Sequence, residues 1–268
     1  MFQITILFLY AGAAICLALS RTTPSEKNLR RLLTAAVPLA AAAMFLHGWQ
    51  LHEAVMPAGN FTLTLTSAIS VIGLQLGIIA SLAALEASLR GVSSILFLIA
   101  ATAGSLTYVY VPEIINTNLA WKVQMHIALS MFAYGLLTAG AIVAVLALIQ
   151  DKRLRAGRLS PINHLFAPLE TTERLLYGVA SAGFVVLAMA VVSGVAFVED
   201  LFAQNLAHKT VLSLLAVATF GVLVIGRQVA GWRGKRAVYL YLGGFSLLLL
   251  AYFGTRYILE EILNRTWG

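Results

Sequence analysis

Eight apolar runs constrain this chain more than any other feature. They fall near residues 3–20, 32–50, 62–85, 92–111, 124–149, 176–197, 210–227 and 237–256, and none carries an Asp, Glu, Lys or Arg near its middle. A run of about 20 apolar residues is long enough to cross the hydrocarbon core as a helix. The runs are continuous rather than alternating, which argues for helices over barrel strands. The chain is 60% hydrophobic and 11% charged, whereas a soluble domain carries roughly a quarter charged residues. The predicted fold is all-α: a polytopic membrane bundle of about eight transmembrane helices, built as one membrane domain over residues 1–268.

The charges sort by loop. The stretches "SRTTPSEKNLRR", "EASLRG", "DKRLRAGRLSPINHLFAPLETTERLL" and "RQVAGWRGKR" hold 14 of the 18 Lys and Arg residues. The remaining four are Lys122, Lys209, Arg256 and Arg265. Lys/Arg-rich loops stay cytoplasmic, which predicts that both termini lie outside. No basic segment precedes "FQITILFLYAGAAICLALS", so this run reads as a retained first span rather than a cleaved signal. The formal net charge of +7 follows from topology, and no nucleic-acid partner is expected. The longest loop, 151–175, is cytoplasmic in this reading. Within it, "PLETTERLL" reads as the start of an interfacial helix, with Thr171 or Thr172 near its cap. The segment "AGWRGKR" reads as a positive-inside anchor with a tight turn.

A single cysteine, Cys16, excludes an intrachain disulfide and thiol–disulfide exchange by this chain alone. The lack of ionisable groups inside the spans disfavours an ion-coupled transporter. P-loop, GxSxG, HExxH and strand-borne GxGxxG motifs are absent, and no enzymatic activity is expected.

The histidines carry the chemical signal. His47 and His52 lie at the outer end of the second run, His126 at the outer end of the fifth and His208 at that of the seventh. Only His164 is cytoplasmic. Imidazole suits haem iron, zinc or copper, although interfacial histidines and aromatics are also ordinary membrane-boundary residues. His47 and His52 stand five residues apart, about 140° around a helix, a poor arrangement for one small ion. Haem takes axial ligands from opposite sides of a flat ring. Aromatic residues near this boundary are Trp49, Phe61, Tyr108, Tyr110 and Trp121. Lys122 and Lys209 are cations suited to haem propionates, with Glu113, Glu199 and Asp200 as alternative ion-pair partners. Ser193 and Gly194, small residues in "VVSGVAF", read as helix-packing positions.

The run "MHIALSMFAYGLL" resembles the histidine-bearing span of the cytochrome c assembly family, haem-handling membrane proteins typified by CcsA and CcmC. The stretches beginning "ERLLYGVASAGF" and "AHKTVLSLLAVATF" resemble that family's C-terminal half. With "FLHGWQLHEAV", the likeness is closest to the YpjD-like and HemX-like inner-membrane branch. The resemblance implies a multi-pass protein of the bacterial inner membrane that binds or regulates haem at the outer face. It implies His126 as one axial ligand and His52, His47 or His208 as the other. Lys209 matches a lysine of the family's tryptophan-rich motif. That motif is replaced here by "VEDLFAQNLAHKT", and a family histidine of the following span would fall near Ile225. These departures point away from haem transfer to apocytochrome c. The implied partners are the lipid bilayer, haem, and other cytochrome-assembly or inner-membrane proteins. The alternative is a membrane scaffold or regulatory partner that has lost haem binding.

Overall fold

A computed structural model describes residues 2–56, 61, 63–106, 120–156, 167–197 and 207–254. Eight α-helices account for nearly all of them: α1 (Phe2–Ser20), α2 (Glu26–Val55), α3 (Leu65–Ala83), α4 (Arg90–Ser105), α5 (Trp121–Arg155), α6 (Leu169–Phe197), α7 (Ala207–Ala230) and α8 (Lys235–Leu249). Seven helices among the described residues are long and apolar enough to cross a membrane. The eighth, α8, has 15 α-helical residues and continues as a five-residue π-helical segment, Leu250–Gly254. The protein is therefore a polytopic helical membrane protein.

Several helices outrun their apolar stretches. Hydropathy marks the length that must be dry, whereas backbone hydrogen bonding continues into polar turns. Thus α2 starts at Glu26, behind an N-cap in which Ser25 accepts from the Asn28 amide. Helix α3 starts at a capping box, Thr64 and Ser67 each accepting the other's backbone N–H. Helix α6 corrects one sequence expectation. "LETTERLL" forms its first two turns, continuous with the apolar run, rather than a separate interfacial helix. Thr172 lies inside the helix, its hydroxyl and amide both donating to the Pro168 carbonyl.

The surface of the spans is apolar and the inside is small. Phe8, Val37, Phe45 and Val192 are each about two-thirds exposed, the expected state of a lipid-facing side chain. Buried positions are rich in Ala, Gly and Ser, which let helices approach closely. Burial advances in alternating steps of three and four residues. On α1 the seam is Ile6, Tyr10, Ala13 and Leu17; on α2 it is Ala36, Ala40, Ala43, His47 and Gln50. This is the left-handed, knobs-into-holes period.

The chain divides into two compact units. One comprises residues 1–119 with 145–175, the other 120–144 with 176–268. In the first, α1 packs on α2 and α4, α3 on α4, and α2 on α3, a closed ring of four helices. The second comprises the first part of α5, most of α6, and α7 and α8. There two tyrosines tie α5 to α8 reciprocally: Tyr134 donates to the Leu248 carbonyl at 2.7 Å, and Tyr241 to the Leu137 carbonyl at 3.1 Å.

The expected tight turn lies between α7 and α8. Gly231 and Gly234 both take φ of +63°, a left-handed conformation that favours glycine. Tyr177 and Arg227 both donate to the Trp232 carbonyl. The guanidinium of Arg236 covers the Trp232 ring at 3.9 Å.

Candidate functional site

The histidines of the two units sit in opposite chemical states. His47 is fully buried on the α2 seam. Its Nδ1 lies 3.3 Å from the Tyr10 hydroxyl of α1, and its Nε2 lies 2.8 Å from the Ser70 hydroxyl of α3. The Tyr10 ring meets it edge-on, with centroids 5.8 Å apart. Both nitrogens are thus engaged in a dry interior, where a lost partner is costly. One seam step further along, Gln50 donates from its side-chain amide to the Gly104 carbonyl of α4 at 3.3 Å. His47 and Gln50 together knit α1, α2, α3 and α4 by polar contacts. His52 lies off the seam and is exposed, as the angular offset from His47 requires.

In the second unit His126 occupies the first two turns of α5 and is half-buried. Its Nδ1 lies 3.0 Å from the Ser193 hydroxyl of α6. Its Cε1 packs against Gly194, where an added Cβ would fall 2.9 Å from the ring. Gly194 belongs to the α6 seam of Leu176, Ala180, Gly183, Leu187 and Ala190. The seam therefore brings a residue with no side chain to the point where the imidazole crosses. Among the described residues, Nε2 of His126 has no hydrogen-bond partner.

Further polar and aromatic groups lie in the same unit. Lys209, in the first turn of α7, acts on His126 electrostatically and lies over the Tyr252 ring, 5.4 Å from its centroid. Tyr252 meets Tyr134 at 5.7 Å. Trp121 and Phe197 meet at 6.5 Å. A shallow apolar groove runs along α6, lined by Phe184, Met189, Val192, Ser193 and Phe197 among others. Tyr252 belongs to the π-helical segment. A hydroxyl inserted into the helical ladder is one recognised cause of a winding change, and Tyr134 donates to Leu248 just before the switch.

Of the sequence candidates, His126 and Lys209 lie in the same compact unit. Lys122 is exposed. His208 lies in the first turn of α7, and its side chain falls outside what is described. So do His164, Tyr108, Tyr110, Glu113, Glu199, Asp200, Arg256 and Arg265. Sequence marked Ser193 and Gly194 as helix-packing positions only, and did not single out Tyr134 or Tyr252 as site residues. Among the described residues, no group of three or more His, Cys, Asp or Glu is gathered to hold a metal ion.

A half-buried imidazole held through Nδ1, with an ammonium and aromatic rings in the same unit, is compatible with a flat apolar macrocycle bearing carboxylates. The fold is that of a polytopic helical membrane protein, with His47 fully buried and His126 half-buried. The chain belongs to the cytochrome c assembly protein family, whose model matches residues 39–263. Over 140 residues it is 33% identical to the inner membrane protein YpjD of Escherichia coli strain K12, covering 52% of each chain. It is 26% identical over 131 residues to the protein HemX of Brevibacillus brevis, covering 48% of each. It is 22% identical over 161 residues to the cytochrome c biogenesis protein CcsA of Guillardia theta, covering 54% of each. The chain spans about half the length of the curated relatives it matches. No solved structure matches it.

Proposed function

We propose that this protein is a haem-associated protein of the bacterial inner membrane that binds or regulates haem at the outer face, with His126 as an axial ligand. The carrying observation is the state of His126: Nδ1 bound to Ser193, Nε2 without a partner among the described residues, and Lys209 alongside. Lys209 is suited to a propionate, and Tyr252, beneath its ammonium, restricts where that ammonium lies. The site binds rather than catalyses. Haem, when bound, supplies an iron centre or is itself the cargo. The names of relatives support the class: CcsA is a cytochrome c biogenesis protein and YpjD an inner membrane protein. By the same analogy, the protein partners are other cytochrome-assembly or inner-membrane proteins.

The test is the haem content of the protein purified from haem-replete cells, wild type beside His126→Ala. A Soret band in wild type that is lost in the variant is expected. Absence of the band from folded wild type would defeat the reading. His52→Ala and His208→Ala, measured in turn, identify the second ligand. A second reading, a membrane scaffold that no longer holds haem, is favoured by His47, whose nitrogens are both taken by Tyr10 and Ser70.

A further inference from the structure

The hydrogen bonds around Ser193 determine where the proton sits on His126. A serine hydroxyl carries one proton. The Ser193 hydroxyl oxygen lies 2.7 Å from the Ala190 carbonyl oxygen. Two oxygens at that distance need a proton between them, and the carbonyl has none to give. The proton of Ser193 is therefore directed at Ala190. Towards His126 the same oxygen can only accept, so the contact at 3.0 Å is an Nδ1–H donating to Ser193. A neutral imidazole carries one N–H. With that proton on Nδ1, Nε2 carries the lone pair.

We infer that Ser193 is a positioning residue: bound to the Ala190 carbonyl, it holds His126 in the Nδ1–H tautomer and presents Nε2 as the nitrogen available to iron. Gly194 completes the cradle, because a Cβ there would fall 2.9 Å from Cε1 and push the ring away. A second partner that fixes the tautomer and aims the ligating nitrogen is the usual support for a metal-binding histidine. His47 lacks this asymmetry, with a hydroxyl at each nitrogen. The role towards iron rests on the haem reading above; the tautomer does not.

The test separates the two. Protein labelled with ¹⁵N-histidine is reconstituted in lipid without haem, and the His126 signals are assigned by their loss in His126→Ala. Wild type is expected to show Nδ1 protonated and Nε2 bare. Ser193→Ala is expected to give a mixture of tautomers, and Ser193→Thr, which keeps the hydroxyl, to restore the wild-type signal. Titration with haemin is then expected to be roughly ten- to hundred-fold weaker in Ser193→Ala than in wild type or Ser193→Thr. An Nε2-protonated His126 in wild type, or a tautomer unchanged in folded Ser193→Ala, would overturn the inference. If the tautomer responds as expected but haemin gives no Soret band with wild type, Ser193 positions His126 and the haem reading fails. If haemin binds through His126 equally well in Ser193→Ala, the haem reading stands and the positioning role for iron falls.

Discussion

His47 and His126 look alike in the sequence, each at the outer end of an apolar run, yet their environments assign them different work. Replacing His47 with Ala strands the Tyr10 hydroxyl in a dry interior and removes one partner of Ser70. A stranded buried group costs about 1–3 kcal/mol, so His47→Ala is expected to lower unfolding stability in detergent by about 2 kcal/mol. His52→Ala, at an exposed position, is expected to stay within about 0.5 kcal/mol of wild type. Equal stability of the two variants would contradict the locked role of His47. The distinction was partly legible. Ala36, Ala40, Ala43 and Gln50 set a three-and-four step on which His47 falls and His52 does not. The partners were not legible, because Tyr10 and Ser70 lie on other helices. The same holds for Ser193, which is 67 residues from His126.

At the scale of elements, the α5–α8 clasp and the π-helical segment form one device. Tyr134 donates to the Leu248 carbonyl and packs on Tyr252, and Tyr252 carries Lys209 above its ring. Tyr134→Phe keeps the ring and removes the hydrogen bond. It is expected to destabilise the protein by about 1 kcal/mol and to raise amide hydrogen exchange over residues 250–254. Unchanged exchange there would separate the clasp from the winding of the segment. The sequence marked an eighth apolar run at 237–256 but gave no sign of this switch. Hydropathy is blind to whether a carbonyl bonds four or five residues ahead. It also missed that "LETTERLL" belongs to α6, because Glu170, Glu173 and Arg174 interrupt the apolar signal while leaving helical hydrogen bonding intact.

At the scale of the molecule, the polytopic helical class was legible from run length alone, because a bilayer leaves the backbone few alternatives. The division into two units was less so: its boundary cuts through α5, and no composition change marks that point. Orientation is the prediction that belongs here. With 14 of 18 basic residues in four loops, reporter fusions in those loops are expected to read as cytoplasmic, and fusions beside Trp121 as external. A cytoplasmic reading beside Trp121 would move His126 to the inner face and contradict outer-face haem binding.

The most direct test of the account is haemin titration of the purified protein, with His126→Ala and His47→Ala beside wild type. A Soret band is expected in wild type, with its loss in folded His126→Ala and its survival in whatever fraction of His47→Ala remains folded. A Soret band unaffected by His126→Ala, or none in folded wild type, would contradict it.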